Sequence, residues 1–334
     1  MKSNRWSAII YRYRSRRCGM NILFMGTPLY AVPVLQQLHA EFGISGVITA
    51  PDKKSGRSLN LMPSPIKVEA QVLDIPCHQP SSLRNIKSKN LIQRLNPDVI
   101  VVVAYGLLIP LDILNVPQFG CINLHPSLLP LLRGPSPVAD AILNRHSKTG
   151  ITLMQLDEGM DTGAIINQRN YVLNYTETTP DLTFKLFEVG GDLIVEYLNN
   201  LSKGILPVKT PQIESASSIT HKHLKEHGEI DWHKSADSIE SQLRAFVPWP
   251  GSTTRWKNKS IKIIQGRVTP ELPPSNSTPG TILPVTDSKF KNRILICTGF
   301  GILEIEKIQL EGKKVMSASE FLRGYPLLPG SIFK

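Results

Sequence analysis

Short apolar runs alternate with amphipathic segments over the first two thirds of the chain. The run Asp98–Ala104 is β-branched and uninterrupted, as expected of a parallel strand buried on both faces. Tyr30–Ala40 carries apolar residues at helical spacing. The same patterns predict strands at Asn21–Met25, Ile44–Thr49, Cys121–Leu124 and Gly150–Met154, and helices at Pro137–Asn144 and Thr179–Leu201. Strands that alternate with helices predict an α/β fold with a doubly wound, Rossmann-like sheet over residues 20–204.

The pattern changes after residue 204. Residues 205–220 are rich in proline, serine and threonine and are predicted to be a linker. An amphipathic helix is expected at Ser235–Phe246, and short apolar runs follow at Thr253–Trp256, Ile261–Arg267, Thr281–Pro284, Arg293–Cys297 and Ile302–Leu310. Several short strands at this spacing predict a small OB-like β-barrel within a second domain, residues 221–334.

Charge is distributed unevenly along the 334 residues, whose formal net charge is +11. Residues 205–334 contain 18 basic and 12 acidic side chains, whereas residues 20–204 contain 14 and 15. The basic barrel therefore favours a polyanionic partner such as RNA, with an ordinary solvated basic surface as the alternative. No apolar run approaches the roughly 20 residues that span a bilayer, and the four scattered cysteines indicate reduced thiols.

The first 19 residues are rich in arginine and contain no acidic residue. We interpret them as a disordered extension or as the product of a start codon assigned too early, because a second methionine, Met20, directly precedes the first predicted strand. A mitochondrial targeting peptide is the alternative. The protein is accordingly expected in the cytoplasm, with the mitochondrial matrix as the second possibility.

Candidate chemistry lies at the end of the strand that begins at Cys121. Asn123 and His125 are two positions apart, so their side chains point to the same face. About 35 residues further on, Asp161 lies in a glycine-flanked loop, and an amide, an imidazole and a carboxylate in one cleft are suited to acyl-type transfer. The alternatives are a structural Asn–His pair and an ordinary turn. His221, His223 and His227 lack a completing ligand, so no metal site is predicted.

The longer string Asn-Leu-His-Pro-Ser-Leu-Leu-Pro-x-x-Arg-Gly-x-x-Pro at 123–137, followed by Asp-x-Gly-x-Asp-x-Gly at 157–163, resembles the signature of folate-dependent formyltransferases. Further strings look like the branch that acts on tRNA-bound methionine. They include Leu-Met-Pro-Ser-Pro-x-Lys at 61–67, Ile-Asp-Trp at 230–232 and Gly-Lys-Lys-x-Met-Ser-Ala at 312–318. Together these strings cover nearly everything from Met20 onward.

The resemblance implies transfer of the formyl group of 10-formyltetrahydrofolate to the α-amine of methionyl-initiator tRNA. The implied catalytic residues are Asn123, His125 and Asp161, with Asp161 pairing with His125. The implied folate-binding residues are Ser127, Leu128, Leu129, Pro130 and Tyr105. The implied tRNA-binding residues are Lys53, Arg57 and Lys67 in the loop 51–67 and Lys313 and Lys314 near the C-terminus. For that loop, an ordinary solvated loop is the alternative.

Two other functions stay open at this point. A formyltransferase acting on a small amine, such as glycinamide ribonucleotide or a nucleotide sugar, would use the same three side chains but leave the basic barrel unexplained. A non-catalytic RNA-binding protein would explain the barrel but not the three side chains. The protein is expected to be a monomer, with initiator methionyl-tRNA as its partner and no membrane association.

Overall fold

The structure is a computed structural model that describes residues 19–55, 60–257, 259–274, 277–284 and 292–334. It divides by contacts into two compact units. The first unit comprises the described residues up to Gly134 together with Thr149–Tyr171 and Thr183–Ile219, and the second comprises Pro135–Lys148, Val172–Leu182 and Thr220–Lys334. Residues 205–219, which form nearly all of the predicted linker, hydrogen-bond to loops of the first unit and belong with it. Apart from Gly19, the predicted N-terminal extension lies outside the described residues.

A seven-stranded sheet in the order β5-β2-β1-β6-β7-β8-β9 organises the chain up to residue 204. The strands are β1 Ile22–Gly26, β2 Gly46–Ile48, β3 Lys53–Ser55, β4 Asn60–Met62, β5 Cys77–His78, β6 Val99–Val103, β7 Cys121–His125, β8 Lys148–Gln155 and β9 Ile165–Val172. The helices are α1 Val32–Phe42, α2 Pro65–Val72, α3 Ile86–Leu95, α4 Leu111–Leu114, α5 Pro137–Leu143 and α6 Thr179–Ser202. Strands β3 and β4 form a separate two-stranded hairpin.

The centre of the sheet is buried and parallel. Every residue of β1 and of β6 is buried, and β1 pairs in parallel with both β2 and β6. The next pair, β6 and β7, is also parallel, so their carboxyl ends lie at one edge of the sheet. Strand β8 then runs antiparallel to β7, which makes the sheet mixed. The predicted Rossmann-like class is confirmed.

The second unit contains an antiparallel sheet in the order β10-β11-β13-β12, with β14 paired to β13. Its elements are α7 Ala236–Ala245, β10 Ser252–Trp256, β11 Lys259–Thr269, β12 Ile294–Cys297, β13 Ile302–Leu310, β14 Met316–Ser317 and α8 Ala318–Gly324. Register shifts between β11 and β13 near Gln265 interrupt the ladder and increase its curvature. Within the predicted strand at Thr281–Pro284, the structure has only isolated bridges, at Thr281 and Ile282.

A continuous apolar core supports this curled sheet. Helix α7 contributes Ile239 and Leu243, and the sheet contributes Ile263 and Ile305, all nearly inaccessible. Along β11, partly exposed Lys262 alternates with the buried Ile261 and Ile263, as the two-residue period of a strand requires, whereas Glu304 of β13 is itself buried beside Ile305. The expected barrel-like second domain is confirmed as a curled antiparallel sheet.

Candidate active site

Strand β7 places Asn123 and His125 at the carboxyl edge of the parallel strands. Asn123 lies opposite Val102 of β6 and Met154 of β8, and His125 lies opposite Thr152. Alternation along the strand directs both polar side chains to one face. His125 is 5% exposed and Asn123 is half-buried. Within the described part of the chain, the Asn123 amide has no hydrogen-bond partner, so its N–H groups are available to a ligand oxygen.

The imidazole of His125 has an acceptor near each ring nitrogen. Nε2 lies 2.9 Å from the carbonyl oxygen of Leu132, and Nδ1 lies 3.5 Å from Oδ2 of Asp161. The structure thus brings the predicted His–Asp pair together. A ring that carries protons on both nitrogens can donate on both sides. Because 3.5 Å exceeds an ordinary hydrogen bond, Nδ1 is the nitrogen with room for a further partner.

The loop that carries Asp161 has an unusual backbone. Asp161 has φ 57°, a left-handed conformation that few residues other than glycine, asparagine and aspartate adopt readily. Its Oδ2 accepts a hydrogen bond of 2.8 Å from the backbone N–H of Gly134. A Cβ at Gly163 would lie 1.7 Å from the carbonyl oxygen of Gln155, so only glycine fits there. Gly163 is therefore a requirement of this turn.

The predicted folate-binding run, residues 127–130, divides into buried and accessible positions. Ser127 is fully buried, and its hydroxyl donates to the carbonyl oxygen of Leu131 at 2.6 Å. Leu129 is 3% exposed, and its backbone N–H donates to Thr152 Oγ1. The side chains of Ser127 and Leu129 therefore stabilise the turn, whereas Leu128 and Pro130 are partly exposed. Folate contact by this run stays a prediction for Leu128, Pro130 and the backbone.

Tyr105 follows β6 but packs into the core of the first unit. Its side chain is 3% exposed, its hydroxyl has no partner among the described residues, and burial raises the pKa of this phenol to about 12. Its carbonyl oxygen accepts from Thr27 Oγ1 at 3.0 Å. Any contact between Tyr105 and a folate must therefore come from its backbone or follow a rearrangement of its ring.

The predicted tRNA-binding loop contains the β3–β4 hairpin. Lys53 begins β3 and is exposed, whereas Arg57 lies outside the described residues. Lys67 is not a freely exposed cation. Its Nζ lies 2.6 Å from Oδ2 of Asp52, and its side chain is only 24% exposed. Hydrogen bonds from Lys67 and then Gln79 lower the pKa of the Asp52 carboxyl, so Lys67 anchors the base of the hairpin.

Lys313 and Lys314 lie in the exposed turn after β13. The backbone of Lys313 is fixed there, since its N–H donates to Leu310 and its carbonyl accepts from the Gln309 amide. No carboxylate among the described residues pairs with either lysine. Lys262 lies opposite Gln309, whose amide bonds the Lys313 carbonyl, so the sheet face beside this turn also carries a cation. This face has the charge expected of a surface that contacts phosphates.

Sequence reasoning missed the residues that support the catalytic loops. The backbone N–H of Leu132 donates to Ser218 Oγ, and Gln212 donates to the carbonyl oxygens of Asp161 and Gly163. Arg133 is 4% exposed and pairs with Glu214 at 2.9 Å. The sequence contained one clue to these supporting residues, which is Arg133 inside the signature string. A guanidinium that is buried requires polar partners.

Two other features of the described residues bear on function. No group of three or more His, Cys, Asp or Glu side chains there is arranged to hold a metal ion. His223 instead pairs with Asp140, with Nε2 2.8 Å from Oδ1. None of the helices in the described ranges combines the length and the apolarity needed to cross a membrane.

Comparison with known protein families matches both units. A model described as "Formyl transferase" matches residues 20–198, and one described as "Formyl transferase, C-terminal domain" matches residues 222–326. A methionyl-tRNA formyltransferase from Rickettsia bellii is 40% identical over 307 residues, covering 92% of this chain and 97% of the relative. One from Marinobacter nauticus is 40% identical over 314 residues, covering 93% and 99%.

Solved structures share the fold at lower identity. The crystal structure of HypX from Aquifex aeolicus in complex with tetrahydrofolic acid aligns with a TM-score of 0.60 at 18% identity. The alignment covers 94% of this chain and 50% of HypX. At this identity the likeness concerns the fold alone.

Proposed function

The chain belongs to the methionyl-tRNA formyltransferase family, and we infer that Asn123, His125 and Asp161 carry out its reaction. That reaction transfers the formyl group of 10-formyltetrahydrofolate to the α-amine of methionyl-initiator tRNA and yields formylmethionyl-tRNA for translation initiation. One observation carries the assignment of roles. The unpartnered Asn123 amide lies on the same strand face as His125, and Asp161 Oδ2 is 3.5 Å from the imidazole.

These groups fit the chemistry of a formyl donor. When bound, 10-formyltetrahydrofolate supplies an electrophilic carbonyl carbon attached to a nitrogen leaving group. The free N–H groups of Asn123 suit the formyl oxygen, and the partly exposed side chains of Leu128 and Pro130 offer apolar surface beside them. The α-amine needs no covalent activation. An unperturbed α-amino group has a pKa of about 7.7–8.0, so roughly a tenth to a sixth of it is neutral at pH 7, and the electron-withdrawing ester of the aminoacyl linkage raises that fraction.

The roles of the three side chains follow from their partners. Asn123 donates to the formyl oxygen and stabilises the negative charge that develops there. Nε2 of His125 is held by Leu132, so Nδ1 is the nitrogen that donates to the oxygen. Asp161 orients the ring and helps to move the proton that the attacking amine releases to the departing folate nitrogen. We assign no step to a metal.

The activity assay discriminates among the functions that sequence left open. The full chain receives 10-formyltetrahydrofolate together with methionyl-initiator tRNA, glycinamide ribonucleotide or an amino-sugar nucleotide. Formylation of the tRNA at a kcat/KM at least about a hundredfold above that of either small amine is expected. Preference for a small amine, or binding of tRNA without any formylation, would overturn the proposal.

The basic turn of the second unit is proposed to contact tRNA phosphates. We expect the double change Lys313→Ala and Lys314→Ala to raise the Kd for initiator tRNA without changing kcat at saturating tRNA. Each lost phosphate contact should reduce the slope of log K against log salt by about one. A matched control replaces Lys87 and Lys89 on α3, which removes the same charge from the first unit. Equal weakening by both double variants would argue against a specific contact.

The loop 51–67, which contains the β3–β4 hairpin, is proposed as a second tRNA contact, through Lys53 and Arg57. The change Arg57→Ala is expected to raise the KM for tRNA several-fold while leaving the KM for folate unchanged, because it removes one bidentate phosphate partner. Steady-state kinetics with each substrate varied in turn checks this result. An unchanged KM for tRNA would remove Arg57 from the interface.

Two further assignments remain proposals. We propose that the protein is a monomer, which light scattering during gel filtration tests directly. We also propose that it works in the cytoplasm rather than the mitochondrial matrix, which imaging of the full chain with and without residues 1–19 tests.

A further inference from the structure

The segment of residues 205–219, which we call the connecting segment, contacts the loops that hold both partners of His125. Thr210 exchanges backbone hydrogen bonds of 2.8 Å with Ile165, next to the Asp161 loop. Ser218 accepts from the backbone N–H groups of Leu132 and Arg133, at 2.8 Å in each case. The segment is therefore part of the architecture around the site.

Gln212 makes the most specific contacts in this segment. Its Nε2 donates to the carbonyl oxygen of Asp161 at 2.8 Å and to that of Gly163 at 2.7 Å. Its Oε1 accepts from Nε of Arg133 at 3.0 Å. A side-chain amide has two N–H donors, and both are used on the turn that presents the Asp161 carboxylate.

The Asp161 turn needs contacts from other segments to hold its backbone, and so does Leu132 on the other side of the imidazole. Asp161 has φ 57° and Leu132 has φ 59°, conformations that cost free energy for residues with a Cβ and persist where surrounding contacts hold them. Asp161 faces Nδ1 of His125, and the Leu132 carbonyl faces Nε2. Gln212 donates to the carbonyl oxygen of Asp161 and accepts from Arg133, which directly follows Leu132.

We propose that Gln212 is a positioning residue for formyl transfer, which holds the Asp161 carboxylate against His125 through its two donor bonds. The inference rests on the function proposed above, since it assumes that Asp161 acts in catalysis. Gln212 itself contacts the Asp161 turn and Arg133 and does not touch the reacting atoms. Its loss should therefore lower kcat and leave both KM values nearly unchanged, because small displacements of a catalytic group slow the reaction more than they weaken binding.

Two substitutions separate the donor role of Gln212 from its contact with Arg133. Gln212→Glu keeps an oxygen that accepts from Arg133 but removes both donors to Asp161 and Gly163. Gln212→Met removes every polar contact at similar size, and Arg133 keeps its ion pair with Glu214. Both variants should lower kcat about tenfold or more, with each KM within about twofold of wild type. Gln36→Met, which removes an exposed amide bonded to Glu69, is the matched control and should keep wild-type kcat.

A double-mutant cycle tests whether Gln212 acts through Asp161. In the Asp161→Asn background, Gln212→Glu should change kcat by less than about threefold, because the group that it positions no longer functions. A full tenfold loss in both backgrounds would overturn the proposal, as would wild-type kcat for Gln212→Glu. Circular dichroism and Tm identify folded variants, and if Gln212→Met does not fold, the Gln212→Glu cycle decides alone.

The same data distinguish failure of this inference from failure of the proposed function. If Asp161→Asn itself transfers formyl at the wild-type rate, the catalytic assignment fails. If Asp161→Asn is impaired and Gln212→Glu is not, the catalytic assignment stands and only the positioning role is lost.

Discussion

Replacing His125 with alanine is expected to lower kcat for formyl transfer at least about a hundredfold, because loss of one preorganised donor to a developing oxyanion typically costs a factor of about 100–1,000. The same change removes the imidazole that the Leu132 carbonyl and the Asp161 carboxylate both face. The effect should appear in kcat rather than in the KM for either substrate, since the bond to the oxyanion strengthens only as charge develops. Single-turnover formylation of methionyl-initiator tRNA measures it.

The matched control for this change is His78→Ala. His78 is half-buried on the edge strand β5 of the same unit and has no place in the proposed mechanism. It should keep kcat within about twofold of wild type. If His125→Ala retained more than about a tenth of the wild-type rate in a folded protein, His125 would not be the oxyanion donor.

The second large effect is expected for Asp161→Asn, again a fall in kcat of at least about a hundredfold. Asparagine tolerates the left-handed backbone at this position and can still accept the hydrogen bond from Gly134. What it loses is the negative charge that faces Nδ1 of His125 and orients the imidazole. Stability should change little, with Tm within about 2 °C of wild type.

Combined stability and rate measurements decide this prediction. Asp192→Asn, which neutralises an exposed carboxylate bonded to Gln37, serves as the matched control and should retain full activity. A large fall in Tm for Asp161→Asn would mean that the carboxylate is structural. A stable variant with wild-type turnover would contradict its catalytic role.

The geometry of the catalytic face could be predicted because it depends on local rules. Asn123 and His125 share a face since β-strand side chains alternate, and the β-branched run predicted β6 as a strand buried on both faces. The proximity of Asp161 to His125 does not follow from periodicity, because the two residues are 36 positions apart in the chain. The resemblance to a known signature supplied that pairing, and the 3.5 Å distance agrees with it.

Other features depend on long-range contacts that composition does not encode. The connecting segment has the proline, serine and threonine content of a linker, yet Gln212 and Ser218 hydrogen-bond to the catalytic loops. The antiparallel direction of β8 was missed because an apolar run of that length has no preferred partner. The sequence likewise does not show that Asp52 pairs with Lys67 at 2.6 Å.

The central claim is that Asn123, His125 and Asp161 surround the formyl group at the end of β7. A crystal structure of the full chain with 5-formyltetrahydrofolate, a less reactive isomer of the donor, tests it most directly. The account predicts the formyl oxygen within about 3.2 Å of the Asn123 amide nitrogen and of Nδ1 of His125. A folate bound with its formyl group beyond hydrogen-bond reach of all three side chains would contradict the account.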